Sequence, residues 1–113
     1  MIVMLPTPPS VNAMYRNVRG RGRVKTTEYK HWIEYAGYCY NTQKKKGEPV
    51  RGPYTVVIHL PKKIRGDIDN RQKAVLDLLV MVGATDDDKH CQTVTATRSE
   101  DYDNYARVVV EAA

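Results

Sequence analysis

Tyr54-Thr55-Val56-Val57-Ile58-His59-Leu60-Pro61, followed by Ile68-Asp69-Asn70-Arg71-Gln72-Lys73-Ala74-Val75-Leu76-Asp77-Leu78-Leu79-Val80-Met81-Val82-Gly83, decides the fold. The first run is β-branched and apolar enough for a strand in the sheet interior, and Pro61 ends it. In the second run Ile68, Gln72, Val75, Leu76, Leu79 and Val82 make one largely apolar face at helical spacing. Asp69, Lys73 and Asp77 recur at i, i+4 and i+8 on another face, so the spacing predicts a helix over 68–82, stopped by Gly83. Beyond it, Cys91 to Arg98 is threonine- and valine-rich and reads as a strand. Tyr105 to Glu111, with Val108-Val109-Val110, reads as the last one.

Working back toward the start, Ile2 to Leu5 is a short β-prone run, and Pro6-Thr7-Pro8-Pro9-Ser10 forces an extended connection. Val11 to Lys25 carries Arg16, Arg19, Arg21, Arg23 and Lys25 between glycines and reads as a mobile basic loop, either a phosphate-contacting arm or a solvated segment. From Thr27, a plausible N-cap, Tyr29, Ile33, Ala36 and Tyr40 recur at helical spacing beside Trp32. That helix is expected to finish in Lys44-Lys45-Lys46 and Gly47. Pro49 to Pro53 and Ser99 to Asn104 read as turns. The order strand, helix, strand, helix, strand, strand describes an α/β (α+β) domain spanning 1–113, a mixed four-stranded sheet packed by two helices, its final two strands an antiparallel hairpin.

Composition narrows the function. With 113 residues, 42% hydrophobic and 27% charged, the chain has the make-up of one globular domain with a modest core. No apolar run is long enough to span a bilayer, and Met1-Ile2-Val3-Met4-Leu5-Pro6 lacks the pattern of a secretion signal, so a cytoplasmic protein is expected. Cys39 and Cys91 stand far apart and are expected to be reduced packing residues. The formal net charge of +5 suits a polyanionic partner.

Against that positive balance, Asp67 and Asp69 at the entrance of the predicted helix and Asp86-Asp87-Asp88 after its exit are the least expected feature. Oxygen ligands of this kind suit Mg²⁺ or Mn²⁺, and Lys73, one turn beyond Asp69, is placed to neutralise charge developing on a phosphate. Such metals activate water for phosphodiester hydrolysis. A helix of that length has ends about 20 Å apart, so the clusters meet only if the exit loop folds back or if two subunits combine them. A plain reading stands beside this one: Asp at a helix start as a cap, Asp69 with Lys73 as an i, i+4 pair, and Asp86 to Asp88 as a solvated turn. Gln72 stands where an EF-hand needs its turn glycine. Ser10 and Ser99 lie in no nucleophile elbow, and His31, His59 and His90 have no zinc spacing.

In combination, Leu5-Pro6-Thr7-Pro8-Pro9-Ser10-Val11-Asn12, Asp67-Ile68-Asp69-Asn70-Arg71-Gln72-Lys73 and Gly83-Ala84-Thr85-Asp86-Asp87-Asp88 resemble the RusA family of Holliday junction resolvases, in order and spacing over nearly the whole chain. The resemblance implies a homodimeric, Mg²⁺-dependent endonuclease that binds four-way DNA junctions and nicks two strands symmetrically, serving recombination and repair. Its catalytic and metal-binding carboxylates would be Asp67, Asp69 and Asp88, with Asp87 as the neighbour a one-residue shift would select and Lys73 as the essential basic residue. Asn12 and Arg16 match the family's N-terminal segment as DNA contacts, and Arg19, Arg21, Arg23, Lys25, Arg65 and Arg71 are further candidates. Where the family can carry a basic residue directly before the first motif aspartate, this chain has Gly66, with Arg65 one step back. A DNA-binding module without catalysis, or a metal-dependent nuclease for other branched DNA, is the alternative.

Overall fold

A computed structural model of the chain describes residues 1–99 and 104–113. In chain order the elements are β1 (Ile2–Pro6), a single helical turn α1 (Val11–Met14), β2 (Tyr15–Val18), β3 (Gly22–Lys25), α2 (Thr27–Thr42) and β4 (Tyr54–Pro61). A 3-10 turn (Ile68–Arg71) then leads into α3 (Gln72–Met81), and a second one (Asp88–His90) leads into β5 (Cys91–Ser99), before β6 (Tyr105–Ala112). The α/β class and the predicted order of the main elements hold.

The sheet runs β1-β6-β4-β5, with β6 antiparallel to both its neighbours and β4 parallel to β5. The expected β5–β6 hairpin is therefore wrong. The last strand enters the middle of the sheet, where Ala106, Val108 and Val110 are buried and its backbone is paired on both sides. β5 takes the edge, which its exposed Thr93 and Thr95 suit. The predicted turn over 99–104 falls largely on residues 100–103, outside the described residues. A parallel β4–β5 pair cannot be closed by a tight turn, so the chain between them must cross over, and that crossover carries both aspartate clusters.

Val11 to Lys25 is also not the expected loop. β2 and β3 form an antiparallel ribbon with Asn17 opposite Arg23 and Tyr15 opposite Lys25. Its turn closes with Arg21 N–H donating to the Val18 carbonyl at 3.0 Å, and Gly20 takes φ +79° at the position where this turn excludes most side chains. Thr26 anchors the ribbon's base, its hydroxyl donating to the Ala13 carbonyl at 2.6 Å and its amide to that of Met14 at 2.9 Å. Basic composition concealed a two-stranded element because its apolar content is confined to Tyr15, Val18 and Val24.

Thr26, one residue before the predicted cap, accepts the Tyr29 amide at 3.1 Å and starts α2. The helix buries Tyr29, Trp32, Ala36 and Tyr40, with the Trp32 indole donating to the Pro6 carbonyl at 3.0 Å. It ends at Thr42 rather than in the lysine run. The Gln43 side chain leaves the helix to pair with edge strand β1, accepting the Met4 amide at 2.8 Å and donating to the Met4 carbonyl at 2.6 Å. A side-chain amide, together with the Lys46 carbonyl that accepts the Ile2 amide at 2.8 Å, thus stands in for a neighbouring strand on this edge. In α3 the buried residues are Ala74, Val75, Leu78 and Leu79. The predicted stripe was rotated because the α-helix begins at Gln72, after a tighter turn that does not keep a 3.6-residue period.

Candidate nuclease site

The entrance of the crossover is held by two arginines. Arg71 donates to the carbonyls of Pro8 and Arg65, each at 2.9 Å, so the proline-rich segment and the acidic turn are tied to one guanidinium. Arg98, reaching over from β5, donates to the carbonyls of Ile64 at 2.7 Å, Gly66 at 3.0 Å and Lys62 at 3.3 Å. Between these clamps Asp67 precedes the 3-10 turn without a side-chain capping bond, and Asp69 lies within the turn. Both carboxylates are exposed, and neither has an internal partner among the described residues. Plain capping thus does not account for Asp67.

The exit is built differently. Gly83, at φ +79°, lets the chain reverse: its amide donates to the Val80 carbonyl at 3.1 Å and that of Ala84 to Leu79 at 2.8 Å. Asp86 then accepts the Gly52 amide at 3.3 Å, and that bond is the main reason its carboxyl titrates below the usual range. Asp87 caps the second 3-10 turn by accepting the Lys89 amide at 2.9 Å, which lowers its pKa likewise. Asp88 alone of the three turns back along α3, its carboxylate 3.8 Å from the Lys73 ammonium. The exit loop does fold back, and it connects the third aspartate to the first turn of the helix.

Lys73 is bound more closely by a residue that motif reading left out. Asp77, one turn on, lies 2.9 Å from the Lys73 ammonium, and its side chain is only 17% exposed against 50% for the lysine. The hydrogen bond that Lys73 donates to Asp77, with Asp88 adding its charge, raises the lysine's pKa. Beneath Asp77 lies the wholly buried Tyr29, whose hydroxyl has no hydrogen-bond partner among the described residues. Burial first and the Asp77 charge second push that phenol up to about 12. The i, i+4 spacing of Lys73 and Asp77 was the available signal; their unequal burial was not visible in sequence. Arg98 was also missed, because an arginine in a strand gives no hint of which carbonyls it will meet.

Next to Lys73 stands the basic ribbon. One hollow is lined by Val11, Tyr15, Arg23 and Lys73, and another, sharing the first three of these, by Asn12, Arg16 and Asn17. The Arg23 guanidinium stacks over the Tyr15 ring, 4.1 Å from its centroid, and Tyr15 packs edge-on against Tyr29. Asn12, Arg16 and Arg23 are thereby joined to Lys73 by continuous surface. Lys25 lies 6.0 Å from the Tyr29 ring centroid, Arg19 and Arg21 project at the exposed turn, and Arg65 is exposed beside the acidic entrance. Arg71 is engaged with backbone carbonyls, as described.

Among the described residues no three acidic, histidine or cysteine side chains converge as a ready-made metal cage. The donor set of Asp67, Asp69, Asp87 and Asp88 is nevertheless all oxygen. Mg²⁺ in phosphoryl chemistry commonly keeps several waters and binds one or two carboxylates together with substrate phosphate. By donor chemistry the residues fit that ion, with the substrate supplying part of its shell.

A family model described as endodeoxyribonuclease RusA matches residues 6–112. A protein of Escherichia coli O139:H28 named crossover junction endodeoxyribonuclease RusA is 33% identical over 87 residues, covering 77% of this chain and 72% of the relative. Its namesake in Escherichia coli K12 is 34% identical over 86 residues, covering 76% and 72%. A third, from Enterobacteria phage 82, is 31% identical over 86 residues with the same coverage, 76% and 72%. Since the family match takes in the ribbon, both aspartate turns and Lys73 together, the chain belongs to the endodeoxyribonuclease RusA family.

Proposed function

We propose that this chain is a Mg²⁺-dependent endodeoxyribonuclease that resolves four-way DNA junctions in recombination and repair, as a homodimer that nicks two strands of like polarity. The observation that carries the reading is the delivery of Asp88 to Lys73 beside a cationic ribbon, in a chain of this family. A four-way junction has approximate two-fold symmetry, so an isologous dimer presents two equivalent sites to two equivalent strands. The names of the relatives supply the crossover junction as substrate.

Asp67, Asp69 and Asp88 would hold the metal, which when bound supplies an activated water and charge neutralisation at the scissile phosphate. Asp88 is preferred to Asp87 as third ligand because Asp87 already caps its own turn. The Lys73 ammonium has three donors; Asp77 takes one at 2.9 Å, leaving others for phosphate oxygens as negative charge builds there. Arg16, Arg19, Arg21, Arg23 and Lys25 draw in the backbone electrostatically, and the Arg71 and Arg98 clamps hold the entrance backbone while leaving its carboxylates free.

The test is a panel of four-way junction, flap, linear duplex and single-stranded DNA with and without Mg²⁺, run on wild type and Asp69→Asn. Junction cleavage that needs Mg²⁺ and vanishes in Asp69→Asn, with junction binding kept, is expected. Retained cleavage in that variant, or salt-sensitive binding indifferent to Mg²⁺ with no cleavage, would refute the assignment.

A further inference from the structure

We infer that the β2–β3 ribbon carries a nucleobase-reading site, in which Asn17 and Arg23, paired across the ribbon, contact base edges next to the scissile phosphate and set the sequence preference of cleavage. This inference rests on the proposed junction-cutting function and adds a specificity element to it. Asn17 belongs to no part of the phosphate-contacting set described above.

Antiparallel partners project from the same face, and so do residues two apart on one strand. The register Asn17↔Arg23 and Tyr15↔Lys25 therefore puts Tyr15, Asn17, Arg23 and Lys25 on one side of the ribbon. The Arg23 guanidinium carbon lies over the Tyr15 ring, 4.1 Å from its centroid, a cation–π contact that holds the side chain at this face. Asn17 is exposed and has no side-chain hydrogen bond among the described residues, so both its donor and its acceptor are available to a ligand. Tyr15, Asn17 and Arg23, together with Val11, Asn12 and Arg16, line a hollow of about 200 Å³.

The chemistry of that hollow differs from the rest of the basic surface. Arg19 and Arg21, at the turn, are point attractions for a phosphate backbone. An asparagine amide beside a guanidinium presents the planar, two-point patterns that match adenine and guanine edges, and a two-stranded ribbon is narrow enough to enter a DNA groove. Its position matters as much: Tyr15 and Arg23 also line the hollow that contains Lys73, so a base held by Asn17 lies close along the strand to the phosphate that Lys73 meets. Discrimination there acts on the nucleotide being cut.

The experiment uses full-length protein and a set of mobile-core junctions that present every dinucleotide at the crossover, with cleavage positions mapped for wild type, Asn17→Ala and Arg21→Ala. Wild type is expected to favour a subset of positions, and Asn17→Ala to level that preference by roughly ten-fold, the scale of one good base-edge contact. Arg21→Ala should lower cutting at all positions alike and reduce the salt dependence of binding. As a readout independent of cutting, competition binding to favoured and disfavoured junctions is repeated in an Asp69→Asn background, where Asn17→Ala should narrow the affinity gap. If wild type cuts junctions without sequence preference, or if Asn17→Ala keeps the wild-type profile and only weakens binding evenly, the base-reading site is overturned while the nuclease assignment survives. If wild type neither binds nor cuts any junction, the proposed function fails and this inference with it.

Discussion

The two aspartate turns at either end of α3 are built in opposite ways. At the exit Asp86 and Asp87 are engaged by the backbone amides of Gly52 and Lys89, and Asp88 instead lies 3.8 Å from the Lys73 ammonium. At the entrance the carboxylates of Asp67 and Asp69 have no such partners among the described residues, and the backbone is held from outside by Arg71 and Arg98. A turn whose acids stabilise itself has spent them, whereas a turn fixed by other residues keeps its acids free. The contrast separates Asp67, Asp69 and Asp88, which can serve a ligand, from Asp86 and Asp87, which serve the fold.

The largest effect expected from this contrast is in cleavage. Asp67→Asn and Asp88→Asn should each reduce junction cutting to background while junction binding persists, and Asp86→Asn should leave most of the cutting rate. Single-turnover rates on one junction, measured beside gel-shift affinities, decide it. Comparable losses for Asp86→Asn and Asp88→Asn would erase the division within the exit turn.

Next in size is the lysine in the first turn of α3 that faces Asp88. Asp77→Asn keeps the shape of the side chain but removes the charge 2.9 Å from Lys73, so the ammonium is free to leave the position shared with Asp88. Cutting should fall on the order of ten-fold, as for loss of a group that positions another. Junction affinity should hardly move, and Asp77→Glu should recover part of the rate. A loss of affinity instead of rate would mean that Asp77 merely shapes the surface.

Much of this was legible in the chain itself. The β4 and β5 runs declared themselves, because they depend on neighbours in sequence, whereas Asp67, Asp69, Lys73 and the choice between Asp87 and Asp88 were singled out through the resemblance to a family motif. The place of β6 did not, since Val108 and Val110 fit a hairpin as well as a slot between β1 and β4; only the pairing of distant strands distinguishes them. The ribbon was hidden by arginines that have no preference for loop over strand, and the start of α3 by a 3-10 turn that shifts its phase. Within the site, the aspartates were readable one by one, but their division into free and engaged groups depends on Gly52, Arg98 and Pro8, which are far away in sequence.

The clamps provide a smaller effect, read in stability. Arg71→Ala removes two hydrogen bonds from a charged group to carbonyls, at 2.9 Å each, and should cost roughly 3 kcal/mol. For a domain of this size that lowers the thermal midpoint by something over 10 °C. Arg71→Lys should restore little of it, because one ammonium cannot reach both the Pro8 and Arg65 carbonyls with the geometry of a fork. If Arg71→Ala melts like wild type and fails only in DNA binding, the entrance is not held from outside and the contrast between the turns collapses.

The smallest effect at neutral pH comes from the floor under Asp77. The Tyr29 hydroxyl is buried without a partner among the described residues, so Tyr29→Phe should be neutral or stabilising by up to about 1 kcal/mol. At high pH the difference grows in a defined direction. With its pKa raised from 10.0 to about 12, folded Tyr29 keeps its proton where the unfolded chain has lost it. Its contribution to stability is therefore complete below pH 10 and declines as pH rises through 12, a change of roughly 2–3 kcal/mol at 1.36 kcal/mol per unit. Denaturant midpoints from pH 8 to 12 should fall less steeply for Tyr29→Phe than for wild type. Adding Asp77→Asn to wild type should flatten the same limb in part, because the Asp77 charge is the second cause of the shift. Identical slopes in wild type and Tyr29→Phe would show that the exit-side network stops at Asp77 and does not extend into the core.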